Sequence, residues 1–259
     1  MLEDEVVVIS GVGPGLGRRL AVRAADEGAR VVLSARSTDT IDAVAAEIAE
    51  AGGEAIAVPC DVRREEDATR VVEAAVDAFG TVTGLVNSAY GHPGFDDLLD
   101  TPEKRMRRAL DISLFGALTM TRAVVGPMRE AGRGSIVNVG TMATRRPLRG
   151  EAGYAVAKAA AGMASRYLAL ELGEHGIRVN EAILGWLDGP GVRFYLQMTA
   201  EERGVDEQEI YDEIAARNPL GRIPTDEACA GAVLYLLSRH ASEVTGAILD
   251  VNGGEYMPT

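Results

Sequence analysis

Seven short runs rich in Val, Ile and Leu alternate along the 259-residue chain with alanine-rich stretches of helical composition. Such alternation implies right-handed strand–helix–strand crossovers, and therefore a parallel sheet with helices on both faces. Because no Pro/Ser-rich linker or internal repeat interrupts it, one α/β domain is expected over residues 1–259. We predict a doubly wound, seven-stranded parallel sheet with strands near 5–10, 30–35, 54–59, 83–87, 134–139, 177–183 and 246–250.

The composition suits this architecture and excludes some partners. The chain is 47% hydrophobic and has 30 glycines but only 5% aromatic residues, as expected of Val/Ile/Ala strands beneath alanine-rich helices. Its net charge of −13 argues against nucleic acid and against anionic membrane surfaces as partners. The first residues are acidic and the apolar runs are short, so neither a signal peptide nor a spanning helix is predicted, and a cytoplasmic protein is expected.

The chain has two cysteines, Cys60 and Cys229. They are too few and too far apart for a disulfide scaffold or a zinc site. We therefore predict two buried free thiols and no metal site.

A glycine-rich turn ends the first predicted strand, and a helix follows it. Its spacing is Gly-x-x-x-Gly-x-Gly, where glycines let a pyrophosphate approach the backbone and the helix N-terminus offers unpaired N–H groups. Ordinary tight turns share this composition, but here both the strand and the helix are in place. We predict a dinucleotide-binding turn with contacts at Gly11, Gly15, Leu16 and Gly17.

Tyr154 and Lys158 form the second motif. Three intervening residues place them one helical turn apart on a common face. An ammonium beside a phenol favours the phenolate, so a proton that normally leaves near pH ~10 can exchange closer to neutrality. Such a pair suits a general acid/base that acts on an alcohol or a carbonyl. Because Tyr-x-x-x-Lys also occurs by chance on exposed helices, the prediction depends on the glycine turn and on the upstream hydroxyl of Thr141.

Together these motifs resemble the short-chain dehydrogenase/reductase family in its compact form, over nearly the whole chain. The resemblance implies a single-domain Rossmann fold and hydride transfer between a nicotinamide cofactor and an alcohol or ketone. The glycine turn and the 250–256 ending are similar to a bacterial, actinomycete-like subgroup. Further landmarks occur in the family's order at Cys60-Asp61-Val62, 85–89, 134–139, 176–180 and 245–254.

The resemblance also implies roles for the site residues. Tyr154 would exchange a proton with the substrate oxygen, Thr141 would hydrogen-bond that oxygen in place of the family's serine, and Lys158 would lower the tyrosine pKa and bind the nicotinamide ribose. Ser113 stands where the family has an asparagine that links the lysine to solvent through water. The relay is then lengthened, rerouted or weakened, unless both replacements are neutral. Expected cofactor contacts, besides Tyr154, Lys158 and the turn, are Asp61, Val62, Asn87, Ser88, Ala89, Gly185 and Leu187.

The end of the second strand bears on the choice of nicotinamide cofactor. An acidic residue there would bind the ribose 2′-hydroxyl and repel a 2′-phosphate. Ala35 occupies that place and Arg36 follows it, flanked by the hydroxyls of Ser34 and Ser37. These groups can bind a phosphate through charge-assisted hydrogen bonds, so we predict NADP(H). An Arg36 stacked on adenine would leave NAD(H) open as the less favoured choice.

Three segments bear on the substrate. The segment 187–224 is predicted either to form a lid over an apolar substrate or simply to pack its aromatic residues. A second wall of the pocket is expected from Tyr90, His92 and Phe95, with His92 as a loop residue. A basic island could meet an acidic group on a substrate or carrier, or it could be solvated surface or form a salt bridge to a neighbouring subunit. The lid residues concerned are Phe194, Tyr195, Leu196, Met198 and Tyr211, and the island is Arg145, Arg146 and Arg149.

Three functions remain open at this stage. The first is an NADP-dependent oxidoreductase for a medium-sized, largely apolar secondary alcohol or ketone. The second is a carrier-linked 3-oxoacyl reductase, and the third is a cofactor-binding regulator without catalysis. Retention of Tyr154 and Lys158 disfavours the third. The family resemblance further implies a homodimer or homotetramer that buries the 101–130 helix and the small-residue helix 155–173.

Overall fold

The structure, a computed structural model, describes residues 1–257. Its seven strands form one all-parallel sheet in the order β3-β2-β1-β4-β5-β6-β7, which confirms the doubly wound prediction. Every predicted strand boundary lies within two residues of the observed one. The strands are β1 Val6–Ser10, β2 Arg30–Ala35, β3 Glu54–Pro59, β4 Gly84–Asn87, β5 Gly134–Thr141, β6 Ile177–Leu184 and β7 Ile248–Val251.

Helices cover both faces of the sheet. α1, α2 and α9 pack on one face, and α3, α5 and α6 pack on the other. The helices are α1 Leu16–Asp26, α2 Thr38–Glu50, α3 Glu65–Phe79, α4 Glu103–Leu110, α5 Ala117–Glu130, α6 Ala152–Leu172, α7 Pro190–Arg203, α8 Glu207–Ala215 and α9 Asp226–Leu237.

The strand β1 shows how one strand contributes to both hydrophobic cores, one on each face of the sheet. Val7 and Ile9 point into the core beneath α1, α2 and α9, whereas Val6 and Val8 point into the core beneath α3, α5 and α6. Successive side chains of a strand alternate between faces, so a strand buried on both sides must be apolar throughout. Cys60 and Cys229 are buried free thiols in these two cores, as predicted.

The helical run Glu103–Glu130 joins α4 to α5 without a break. Between them, Asp111–Gly116 is wound as a π-helix, a local widening that is frequent at functional sites. The run is long and apolar enough to span a membrane by length and composition, with a mean hydropathy of 1.3 in its best window, contrary to the expectation from the sequence. Core helices meet the same criterion, and α5 packs here against α3 and the sheet.

The segment between β6 and α9 forms two helices, α7 and α8, with a small core of its own. Leu196 and Ile210 are fully buried in that core, and Tyr195 and Tyr211 pack against it. By contrast, the Phe194 and Met198 side chains of α7 are 67% and 45% exposed. Most of the named aromatic residues of this segment therefore pack internally, while one face of α7 remains apolar and open, and the lid over an apolar substrate stays a prediction.

Candidate active site

The glycine turn lies between β1 and α1 and is sterically specified at two positions. Gly11 has φ 97°, and a Cβ there would collide with the backbone of Ala89 after β4. A Cβ on Gly17 would lie 2.5 Å from the Gly11 carbonyl oxygen. The turn can therefore approach β4 and fold back on itself only with glycine at these positions.

The other two glycines of the turn face open space. A Cβ on Gly13 would meet nothing within 4 Å, and one on Gly15 would meet only Pro190 at 3.4 Å. Gly15 is the N-cap of α1, and no side chain caps that helix end. Unpaired N–H groups at Leu16 and Gly17, beside a backbone free of side chains, fit the pyrophosphate of a dinucleotide.

The end of β2 presents Arg36 and Ser37 to solvent. Arg36 is near enough to Asp61 to lower its pKa, but Asp61 is bound chiefly by Arg63, whose Nε donates to its carboxylate at 2.8 Å. Arg63, Arg36 and the backbone together bring the Asp61 pKa to about 2. Arg36 thus remains available to a ligand.

Ser34 does not fit its predicted role. It is fully buried, and its hydroxyl faces the Cys60 thiol in the core rather than the ligand edge. The alternation of side chains along β2 turns Ser34 inward. The prediction that its side chain contacts a 2′-phosphate is therefore corrected.

Asn87 ends β4 with its side chain turned inward. Its amide donates to Asn138 Oδ1 at 2.9 Å, and the residue is only 5% exposed, as Ser88 is 9% exposed. Any cofactor contact at Asn87 and Ser88 is therefore through the backbone.

Val62 packs against Gly116 of the π-helical segment. A Cβ on Gly116 would lie 2.5 Å from the Val62 side chain.

The end of β6 is held by the last strand. Gly185 donates its N–H to the Val251 carbonyl at 3.3 Å, and a Cβ on Gly185 would lie 2.8 Å from Asn252. Leu187 packs at the edge of the core beneath α1 and α9. The backbone at 185–187 therefore lies at the carboxyl edge of the sheet, as expected.

Tyr154 lies on the first turns of α6, against aromatic side chains of the loop after β4. The Tyr90 and His92 rings have centroids 5.8 and 5.2 Å from its ring. Burial raises the pKa of Tyr154, Tyr90 adds to the rise, and the hydrogen bond with Thr141 opposes it. The phenol is therefore protonated at neutral pH in this geometry.

Lys158 is 4% exposed and points along the sheet rather than at the phenol. Its Nζ donates to the Val139 carbonyl at 2.7 Å. Burial lowers the Lys158 pKa to about 8, and Glu181 opposes that change. Because its ammonium is engaged elsewhere, Lys158 does not lower the Tyr154 pKa here, and that part of the sequence-based expectation is corrected.

Thr141 and Ser113 occupy the two positions that depart from the family pattern. Thr141 ends β5, and its Oγ1 accepts a hydrogen bond from the Ala143 N–H at 3.3 Å. Ser113 lies in the π-helical segment, is 2% exposed, and accepts from the Gly91 N–H at 3.2 Å. Ser113 thus anchors the loop that carries Tyr90 and His92.

His92 is oriented by two hydrogen bonds. Its Nδ1 accepts from the Gly94 N–H at 3.2 Å, which leaves Nε2 to donate to the Glu151 carboxylate at 3.2 Å. Its ring also lies 4.5 Å from the Phe95 ring, centroid to centroid. His92 is a loop residue that forms a wall against Tyr154, as predicted from the sequence.

The predicted basic island is neutralised within the chain. Arg146 pairs with the nearly buried Glu255 at 2.7 Å, and Arg149 pairs with Asp97 at 2.7 Å. Arg145 lies 3.5 Å from the Asp250 carboxylate. The arginines therefore form salt bridges, but to acidic residues of the same chain rather than to a neighbouring subunit as expected.

Comparison with known proteins agrees with this geometry. A family model described as "Enoyl-(Acyl carrier protein) reductase", of the short-chain alcohol dehydrogenase type, matches residues 11–255. The chain belongs to the short-chain dehydrogenase/reductase family. It is therefore an NAD(P)-dependent oxidoreductase that interconverts alcohols and ketones on small-molecule substrates.

Three relatives illustrate the match. The short-chain reductase protein NovJ of Streptomyces niveus is 34% identical over 97% of this chain and 94% of its own. The 7alpha-hydroxysteroid dehydrogenase of Escherichia coli is 32% identical over 98% of this chain and 94% of its own. A variant of actinorhodin polyketide ketoreductase with NADPH has a TM-score of 0.90 and 32% identity, covering 98% and 99% of the two chains. The first two relatives come from different kinds of bacteria, so the matches support the family firmly and an actinomycete-like subgroup only loosely.

Two residues near the site were not found from the sequence. Glu151 orients His92, and Glu181 lies beside Lys158. A signal for Glu181 was available, because it is the acidic residue within a predicted buried strand.

Proposed function

We propose that this protein is an NADP(H)-dependent oxidoreductase that interconverts a secondary alcohol and a ketone on a medium-sized, largely apolar substrate. The observation that carries the proposal is the Tyr154 phenol, which is close enough to the Thr141 hydroxyl for Thr141 to lower its pKa and which lies beneath Tyr90 and His92 at the carboxyl edge of the sheet. A protonated phenol beside a second hydroxyl is suited to protonate and polarise a carbonyl oxygen.

The chain's residues have distinct parts in this reaction. The bound nicotinamide supplies the hydride in the reducing direction and accepts it in the oxidising direction. Tyr154 gives its proton to the substrate oxygen during reduction and takes it back during oxidation. Thr141 donates a hydrogen bond to the same oxygen, and Lys158 binds the nicotinamide ribose through its ammonium.

Arg36 supports the preference for NADP(H). It is exposed at the end of β2, no acidic residue precedes it there, and the nearby Asp61 is bound by Arg63. A guanidinium of this kind can bind a 2′-phosphate by bidentate hydrogen bonds. A solved relative also contains NADPH.

The surroundings of Tyr154 support an apolar substrate. Phe95 is 69% exposed and packs on His92, whose ring lies 5.2 Å from that of Tyr154, and Phe194 of α7, 67% exposed, is the contact expected from the lid segment. Exposed aromatic side chains around a polar centre provide apolar contacts for a substrate and leave the polar groups to orient it.

The alternatives have less support. The only argument for a carrier-linked substrate was the basic island, and its three arginines each have an acidic partner in the same chain. A regulator without catalysis has no use for a phenol placed beside the Thr141 hydroxyl.

The first experiment tests the chemistry. A panel of ketones, secondary alcohols and acyl thioesters is followed by nicotinamide absorbance with both cofactors, using wild type, Tyr154→Phe and Tyr167→Phe. Tyr154→Phe should lose turnover while retaining cofactor affinity, because the ring stays and the reacting proton goes. Tyr167→Phe, on the same helix but 60% exposed, is the matched control. Turnover by Tyr154→Phe at the wild-type rate would refute the proposed role.

The second experiment tests the cofactor. Calorimetry should find tighter binding of NADPH than NADH to wild type, and near-equal or reversed affinities for Ala35→Asp/Arg36→Leu. A lost charge-assisted contact costs about 1.5–3 kcal/mol, or roughly tenfold to a hundredfold in affinity. Equal wild-type affinities would contradict the NADP(H) preference without affecting the assignment of Tyr154.

A further inference from the structure

Glu181 is a carboxylate in the middle of β6 that the reaction described above does not use. The residue is 5% exposed, and its neighbours in register are Asn138 on β5 and Ile248 on β7. A carboxylate is rarely buried in a parallel sheet unless a charged or hydrogen-bonding partner compensates it. The environment of Glu181 therefore indicates what it does.

Two glycines make room for this side chain. A Cβ on Gly140 would lie 2.5 Å from Glu181 Oε1, and a Cβ on Gly162 would lie 2.7 Å from Oε2. Gly140 directly precedes Thr141, and Gly162 lies one helical turn after Lys158. The carboxylate therefore leans along β6 towards the catalytic edge and fills a space between the sheet and α6.

The charges that face Glu181 come from three elements. Burial raises the pKa of Glu181 and Asp250 of β7 adds to the rise, while Lys158 and Arg166 of α6 and Arg145 after β5 oppose it. Arg145 is already near the Asp250 carboxylate, at 3.5 Å. Among the described residues, Glu181 is the carboxylate whose charge raises the Lys158 pKa.

We propose that Glu181 is a positioning residue for the reaction, whose buried carboxylate keeps Lys158 protonated and so maintains the ammonium that binds the cofactor ribose. This inference rests on the proposed function. It also explains how the site tolerates Ser113, since the charge of Lys158 is supported from the sheet rather than from the π-helical segment.

The chain offers a direct readout, because Lys104 and Lys158 are its only lysines. In protein labelled with ¹³C at lysine Cε, NMR should show two signals, which Lys104→Arg assigns. The Lys158 signal of wild type should titrate near pH 8 in the absence of cofactor and substrate. In Glu181→Gln its midpoint should fall by about one pH unit, since removing a nearby opposite charge favours the neutral amine.

Controls separate charge from packing. Glu181→Gln keeps the shape and removes the charge, whereas Glu181→Asp keeps the charge and should restore most of the wild-type midpoint. Glu5→Gln removes a carboxylate that pairs with Arg133 at the opposite edge of the sheet and should leave the Lys158 signal unchanged. If Glu181→Gln does not fold, Gly162→Ala is the test of the proposal. The added methyl group displaces the Glu181 carboxylate and should also lower the Lys158 midpoint.

The pH profile gives a second readout. Ketone reduction needs protonated Lys158, so kcat/KM for NADPH should fall as pH rises through about 8 in wild type. In Glu181→Gln this fall should begin about one pH unit lower, in line with the NMR midpoint.

The two proposals fail in different ways. An unchanged Lys158 midpoint in Glu181→Gln or Gly162→Ala would overturn the role of Glu181, whatever the turnover. Undiminished turnover in Tyr154→Phe would overturn the proposed function while the lysine titration stayed as expected.

Discussion

Thr141 shows how one hydroxyl can be prepared for catalysis by its local backbone. Its Oγ1 accepts a hydrogen bond from the Ala143 N–H at the start of a short 3₁₀ turn. One lone pair is thus occupied, the β-branched side chain has few rotamers, and the hydroxyl hydrogen remains free to be donated to a substrate oxygen. The same hydroxyl lowers the pKa of Tyr154. Threonine can therefore do at this position what serine does in the family.

We expect Thr141→Ser to retain activity and Thr141→Val to lose it. Valine keeps the shape but removes the donor, at a cost comparable with one oxyanion-hole donor, about 2.7–4 kcal/mol, or roughly a hundredfold to a thousandfold in rate. Single-turnover hydride transfer on any accepted ketone measures this. Thr69→Val, on the exposed face of α3, is the control. A Thr141→Val rate equal to that of Thr141→Ser would remove Thr141 from the chemistry.

At the scale of elements, α7 connects the substrate side of the site to the cofactor side. Its first residue, Pro190, is the only neighbour that a Cβ on Gly15 would meet within 4 Å. Its next turns place Leu196 in a small core shared with α8 and leave Phe194 exposed. Trp186 at the base of the segment packs on Tyr195, with ring centroids 5.1 Å apart. The segment is thus a packed unit that abuts the glycine turn.

A pair of substitutions in α7 distinguishes substrate contact from packing. Phe194→Ala should raise KM for apolar ketones and leave Tm unchanged, because the ring is exposed. Leu196→Ala should destabilise the segment by about 2–5 kcal/mol, since it leaves a cavity in the small core. Steady-state kinetics and thermal unfolding measure both effects. A fall in Tm for Phe194→Ala with unchanged KM would show that this ring only packs.

For the whole molecule, the outer face of α6 exposes an apolar stripe. Met163, Tyr167 and Leu170 are 52%, 60% and 78% exposed and recur at helical spacing. Phe115, 53% exposed, belongs to the neighbouring helical run that family resemblance also places in a subunit interface. A stripe of this kind on a monomer is a candidate association surface.

We therefore expect a homodimer or homotetramer in solution, with two-fold symmetry relating the α6 helices. Tyr167→Glu/Leu170→Glu should shift the protein towards monomer, because it places charges on the stripe. Light scattering at micromolar concentration measures the change. Val76→Glu, on α3, is the control for adding charge at a half-exposed apolar site. A monomeric wild type would contradict this expectation.

The sequence alone was enough for the features set by local geometry. The strands followed from runs of β-branched residues, and the shared face of Tyr154 and Lys158 followed from their spacing. The glycine turn could be predicted because its glycines lie between a predicted strand and a predicted helix. Such features depend on residues near one another in the chain, so they can be predicted before the fold is known.

Only the tertiary structure decided which partner each side chain takes. Ser34 turned into the core, Lys158 turned to Val139 and Glu181, and Arg146 found Glu255 more than a hundred residues away. Local preferences do not determine these contacts, because they are set by which helices and strands pack together and by the space that residues such as Gly140 and Gly162 leave. The charge state of the candidate site depends on these contacts between distant segments.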